Sequence, residues 1–390
     1  MSNQVNRRNF LKMSVTAGAA LALTPSDMKA NESEMNAKKL PQRLLGKRTG
    51  IKLPILSMGV MNADNISVVR AAYNSGIVLF DTANGYQNGR NEEMLGEFFA
   101  DKPRNSFLLA TKVREAPADG AAERFLEKFE TSMKRLKLAY VDIFYIHMPA
   151  NADAVNYAPI LEVLDKLKKD GRIKYAGLST HSNEPTVINA AVDNGNYDVI
   201  LTSYNYNQKH HAELNPAIER AVKAGLGIVA MKTMAGGFLD KEKTKKVNTR
   251  AALKWVLQNK NISTAIPGFT SFDMLEESID AAMNLKFTKD ETNYFAAVDN
   301  LPSMYCQGCD ICREQCVKGL QIAPMMRAYM YNYGYKNPAL AKSVIDELSL
   351  TGDPCSGCTT CSVKCVSGFQ VAQKVKDIAR LQYVPQDLLV

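Results

Sequence analysis

Between residues 41 and 290, short β-branched apolar runs alternate with longer segments whose apolar residues recur every three or four positions among Lys and Glu. The first pattern suits buried strands, the second amphipathic helices. Strands are predicted over 55–60, 77–81, 107–112, 141–147, 173–179, 198–204, 227–232 and 262–267. Helices are predicted near 65–75, 91–101, 121–138, 158–170, 184–194, 212–224, 247–259 and 271–283. Eight strand–helix units over about 250 residues match an α/β (β/α)8 TIM barrel. A doubly wound open sheet is the alternative, disfavoured because no Gly-x-Gly-x-x-Gly turn opens the first helix. Segment 41–54, with Gly46 and Gly50, is expected as a small hairpin under the barrel.

Barrel chemistry gathers where strands end and βα loops begin. The predicted ends carry Asp81, Lys112, His147, Ser179, Tyr204 and Lys232, with Tyr86 in the loop after Asp81. Four of these stretches resemble catalytic and binding signatures of the aldo-keto reductases. They are Asp81-Thr-Ala-Asn-Gly-Tyr86, Lys112 after a β run, His147 after Val-Asp-Ile-Phe-Tyr-Ile, and the run from Gly171 to Ser179. Ile266-Pro-Gly-Phe-Thr-Ser matches as well, and the resemblance covers about 41–285.

The resemblance implies an oxidoreductase that interconverts an alcohol and a carbonyl by hydride transfer with NAD(P), on a small molecule such as a sugar or polyol. Tyr86 would donate the proton. Its phenol, near 10 when free, would be lowered by the Lys112 cation. Asp81 would hold Lys112, and His147 would orient the carbonyl oxygen. For the cofactor it implies Ser179, Thr180 (where Asn is usual), Tyr204 stacked on the nicotinamide, and Gly268. Leu201 stands where Gln is common. No basic residue occurs between Pro267 and Lys286, so a 2′-phosphate lacks a partner there and NAD is preferred over NADP. Lys232 or Arg250 would have to supply that cation instead. His181 is a candidate substrate contact. His210 and His211 are read as ordinary loop residues.

All eight cysteines lie at or beyond Cys306. Cys306, Cys309, Cys312 and Cys316 are spaced C-x2-C-x2-C-x3-C, and Cys355, Cys358, Cys361 and Cys365 repeat it. That is the bacterial ferredoxin spacing, in which the fourth cysteine of each run serves the other cluster. One 4Fe–4S cluster is therefore expected on Cys306, Cys309, Cys312 and Cys365, the second on Cys355, Cys358, Cys361 and Cys316. Zinc favours separated C-x2-C pairs, and disulfides would suit an exported chain, but neither explains the repeated spacing. Val317 and Val366 replace the proline usual after the fourth cysteine. Segment 322–348 between the runs reads as helical, interrupted near Gly334 and Pro338. The chain looks like bacterial aldo-keto reductases that carry such a ferredoxin-like tail.

Arg7-Arg8 precedes a short apolar stretch, Met13 to Leu23, too short to span a membrane. It resembles a twin-arginine export signal. The domain reading is a signal over 1–30, a flexible tail over 31–40, the barrel over 41–290 and an iron–sulfur domain over 291–390. A periplasmic location follows, with no integral membrane segment in the mature chain. Of 390 residues 46% are hydrophobic and 23% charged, which excludes wholesale disorder. The net charge of +8 is too spread to imply nucleic acid. A nicotinamide moves two electrons together and a cluster one at a time, so an external electron carrier is the expected redox partner. The rival expectation is a non-catalytic electron-transfer or structural subunit on an inactive barrel.

Overall fold

The computed structural model describes residues 39–149, 151–240, 244–298 and 304–389. The predicted export signal lies outside the described residues. A two-stranded antiparallel hairpin comes first, β1 (Gln42–Leu44) and β2 (Lys52–Pro54). Eight parallel strands follow: β3 (Met58–Gly59), β4 (Leu79–Asp81), β5 (Leu108–Val113), β6 (Val141–His147), β7 (Ile173–Thr180), β8 (Val199–Ser203), β9 (Gly227–Met231) and β10 (Thr264–Ala265). They pair in chain order. The sheet closes where Leu56 bridges Ala265 and Gly59 bridges Gly268. Every predicted barrel strand is present.

Around the barrel run α1 (Ile66–Asn74), α2 (Arg90–Phe99), α3 (Ala121–Leu136), α4 (Ala152–Val155), α5 (Ala158–Lys169), α6 (Glu184–Asn194), α7 (His211–Lys223), α8 (Thr249–Gln258) and α9 (Phe272–Met283). Helix α3 shows why these segments fold so. Phe125, Phe129, Met133 and Leu136 form one buried stripe, and Phe125 and Phe129 meet Phe144 of β6 at 5.2 and 4.7 Å between ring centroids. The short α4 was not expected. Asn151 caps it by accepting from the Ala154 N–H at 2.9 Å.

Strand parity sorts the barrel into an inside and an outside. Leu79, Ala110, Ile143, Tyr145, Val199, Leu201 and Val229 pack inward as one cluster, joined from below by Leu45 and Leu53 of the hairpin. Their neighbours Phe80, Leu109, Phe144, Ile200 and Ile228 face the helices. The same parity aims Asp81, Lys112, His147 and Ser179 inward at the strands' C-terminal ends.

Helix α10 (Lys289–Val298) straddles the expected domain boundary at 290. It is tied to the barrel by buried Glu291, whose carboxylate takes Lys254 Nζ at 2.8 Å. The C-terminal module then builds its own core from α11 (Ile322–Tyr329), a wide turn over Met330–Gly334, α12 (Pro338–Glu347) and α13 (Val371–Ala379). Met325, Met326, Met330 and Tyr331 are buried in it. The module has two matching halves. Cys-Gln-Gly-Cys at 306–309 answers Cys-Ser-Gly-Cys at 355–358, and both glycines are left-handed, at φ 81° and 74°. Gly319 and Gly368 likewise donate to the Cys316 and Cys365 carbonyls at 2.9 Å, just before α11 and α13.

Candidate active site

The module sits on the C-terminal mouth of the barrel. Asn183 N–H donates to the Gly308 carbonyl at 2.9 Å, and Asn205 Nδ2 to Gln307 Oε1 at 3.1 Å. Arg327 Nη2 donates to the His181 carbonyl at 2.7 Å. Arg114 pairs with Glu347. Each barrel partner lies just past a strand end, so the module covers the face where the predicted catalytic residues emerge.

Under that cover, Lys112 Nζ donates to Asp81 Oδ1 and to the Thr82 carbonyl, both at 2.6 Å. Both side chains are buried, Lys112 at 1% exposure and Asp81 at 3%. Burial pushes the carboxyl up and the ammonium down, while each partner pulls the other back toward its charged form. The Tyr86 ring lies 4.9 Å from Lys112 Nζ and 6.2 Å from the His147 ring, edge to face at 84°. Its loop turns through left-handed Gln87 and Asn88, φ 51° and 55°, and Gln87 Nε2 pins it to the Met61 carbonyl at 3.1 Å. Asp81, Lys112, Tyr86 and His147 therefore converge as predicted.

Their electrostatics differ from the prediction. Lys112 was expected to lower the Tyr86 phenol. Instead burial raises it, with Asp81 and Tyr335 adding to the rise. Burial is the main reason, and the hydrogen bonds of Lys112 go to Asp81 and the Thr82 carbonyl while its ammonium lies over the Tyr86 ring. His147 and His181, with ring centroids 5.3 Å apart, are both held neutral, mainly by burial.

Among the described residues, the buried polar atoms at this mouth without a hydrogen-bond partner include Asp81 Oδ2, Tyr145 OH, His147 Nε2, Ser179 Oγ, His181 Nδ1 and Ser203 Oγ. Buried polar groups are nearly always paired, so this concentration marks a ligand site. Tyr145 and Ser203 were missed from the sequence. Parity would have found Tyr145, two residues before His147 on the same side of β6.

The predicted cofactor residues divide. Ser179 lies in register beside His147 with its hydroxyl free, which fits a nicotinamide amide. Gly268 pairs with Gly59 at the closure, where bare backbone meets bare backbone. Thr180 instead turns outward and donates to the Ser182 carbonyl at 3.0 Å. Tyr204 is a correction. Parity puts it outside with Ile200, its hydroxyl bonded to Asn215 and Asn259 and its ring 5.2 Å from Trp255, so it does not face the mouth. Lys232 takes a left-handed backbone, φ 54°, and lies over the Tyr331 and Tyr335 rings of the module. Arg250 is taken up by Asp280 and Glu291. His210 bonds buried Glu184 at 3.0 Å and His211 the Asn205 carbonyl at 2.9 Å, both structural roles.

None of the eight cysteines is joined in a disulfide. Burial pushes the Cys306 thiol up to about 11, and Cys309 and Cys365 raise it further, while Arg327 and the Gly308 N–H oppose. Burial pushes Cys312 up to about 12, helped by Cys306 and Cys309. Cys306 thus lies within electrostatic reach of Cys309, Cys312 and Cys365. Cys355 likewise feels Cys361 and Cys358. Backbone N–H groups of Gly308 and Ser367 reach the Cys306 and Cys365 sulfurs at 3.4 Å, donors of the kind that stabilise cluster thiolates. Among the described residues no three His, Cys, Asp or Glu side chains are gathered to hold a metal ion.

The model of the aldo/keto reductase family matches residues 56–251. L-galactose dehydrogenase of Arabidopsis thaliana is 28% identical over 64% of this chain and 90% of its own. A solved aldo-keto reductase of Pseudomonas aeruginosa aligns with TM-score 0.52 at 25% identity, covering 64% of this chain and 98% of that one. The holo form of an aldo-keto reductase from Bacillus halodurans aligns with TM-score 0.55 at 22% identity, covering 66% and 96%. With the barrel, the strand-end residues and the matched model in agreement, the chain is an oxidoreductase that belongs to the aldo/keto reductase family.

Proposed function

We propose that this enzyme interconverts an alcohol and a carbonyl on a small, sugar-like substrate, with Tyr86 as acid and base. The observation that carries this is the buried Lys112–Asp81 pair at 2.6 Å with the Tyr86 ring beside it and a free His147 Nε2 opposite. A bound nicotinamide supplies or accepts the hydride. Ser179 Oγ would hold its amide, and the lack of a basic residue between Pro267 and Lys286 favours NAD. His147 Nε2, in the neutral donor tautomer, would bond the reacting oxygen and orient it. Tyr86 gives its proton to the oxygen during reduction and takes it back during oxidation. Lys112 and Asp81 set the charge beneath the phenol, and the module excludes water from above. Sugar chemistry is supported by the similarity to L-galactose dehydrogenase.

We further propose that the cysteines hold two 4Fe–4S clusters, which supply one-electron transfer to an external carrier, and that Arg7-Arg8 directs export of the folded protein to the periplasm. The repeated ferredoxin spacing, the matching halves of the module and the backbone N–H groups at the Cys306 and Cys365 sulfurs support the clusters. The barrel chemistry is tested with Tyr86→Phe. Turnover should fall about 10²- to 10⁴-fold with NADH affinity unchanged, the scale of general acid catalysis. Unaltered turnover would end the proposal. Anaerobic electron paramagnetic resonance after NADH addition tests the coupling of barrel to clusters, and clusters that only dithionite reduces would refute it.

A further inference from the structure

A small cleft of about 30 Å³, room for one carboxylate-sized group, opens beside the mouth, between the strand ends at Arg114, Met148 and His181 and the start of α11 at Ala323 and Arg327. Arg327 is only 4% exposed. Its guanidinium reaches the His181 carbonyl at 2.7 Å and Met330 Sδ at 3.7 Å. Among the described residues Arg327 has no carboxylate within ion-pair distance. Arg114 is matched by Glu347, and the nearby Glu184 is committed to His210. His181 lines the same cleft with Nδ1 buried and unpartnered. Helix α11 starts there with no side chain capping its first turn, so its dipole adds partial positive charge. A buried cation without counter-charge is costly, and a cleft that keeps Arg327 in that state awaits an anion.

We infer that this cleft binds an anionic oxygen group of the substrate, a carboxylate or a phosphate, with Arg327 as the main specificity residue. The inference rests on the proposed reading of the mouth as the reductase site and narrows its substrate from neutral polyols to hydroxy or oxo acids or sugar phosphates. His181 neighbours both the cleft and His147, so one small molecule reaches both. The C-terminal module thereby completes the substrate site as well as roofing it. Arg327 also faces Cys306, so balancing charge at the cysteines is the competing role.

Calorimetry on the anaerobically purified full chain distinguishes them, with gluconate, glucose 6-phosphate and sorbitol as probes. At least one anion should bind about tenfold or more tighter than sorbitol, the scale of one charge-assisted hydrogen bond. Arg327→Gln should abolish that preference and Arg327→Lys should restore part of it. Whichever anion wins identifies carboxylate or phosphate. Equal binding of all three by the wild type overturns the inference. So does an Arg327→Gln protein that keeps its anion preference while its cluster spectrum shifts. If Arg327→Gln does not fold, chloride competition on the wild type reads the same charge: it should weaken the anion and spare sorbitol, and no effect on the anion overturns the inference. NADH titrated into the same samples reports the parent reading separately, because its failure would show as lost NADH binding whatever the anions do.

Discussion

Gly308 packs so closely on His181 that a β-carbon there would lie 2.4 Å from the His181 carbonyl oxygen. The glycine is also left-handed, at φ 81°. One residue without a side chain lets the first cysteine loop settle against the loop that follows β7, directly beside the barrel mouth. Gly308→Ala should therefore disturb both sides of the seam. Strain at a positive φ costs about 1 kcal/mol and the clash adds to it. A lowered melting temperature with a parallel loss of turnover is expected. Melting and turnover like wild type would show that the seam tolerates a side chain.

The Lys112–Asp81 pair separates stability from chemistry. Lys112→Met leaves Asp81 buried without its partner and should destabilise by about 3–5 kcal/mol. Adding Asp81→Leu removes the orphaned charge, so the double variant should regain most of that stability and none of the turnover. Urea unfolding with parallel assays checks both arms. A stable single variant would mean that Asp81 does not depend on Lys112.

His147 makes stability fall in mild acid. Burial first, then Lys112, Arg114 and Lys232, holds its folded pKa well below the unfolded value of about 6.5. The unfolded chain then binds the extra proton. The stabilisation is fully present above about pH 6.5 and is lost as pH falls toward the folded value, at up to about 1.4 kcal/mol per pH unit. A His147→Gln variant should lack this component. Identical pH slopes for variant and wild type would contradict it.

The cysteines make a count possible. Two 4Fe–4S clusters carry about eight iron atoms per chain. Anaerobic protein should hold that number and Cys309→Ser about half of it. With the barrel intact, Cys309→Ser should still bind NADH. Iron near zero in the wild type would remove the clusters from the proposal.

Much of the site could be read before the fold was seen, but not all of it. Asp81, Lys112, His147 and Ser179 end their strands on the inward parity, so local pattern was enough to collect them. Tyr204 was misplaced because it was read as the end of a strand over 198–204 and its parity was not followed; the strand ends at Ser203. The module's residues beside Tyr86 could not be read. Tyr331 and Tyr335 come from more than two hundred residues downstream and carry no motif of their own.

By itself, then, the sequence determined the barrel, the strand-end residues and the duplicated cysteine spacing. These depend on periods of two and near four and on short turns, which neighbours along the chain set among themselves. Tertiary structure alone decided that the cysteine module roofs the mouth, that Gly308 abuts His181, and that burial outweighs Lys112 at the Tyr86 phenol. Those outcomes depend on which distant groups exclude water from a shared space, and desolvation is a property of the assembled volume rather than of any segment.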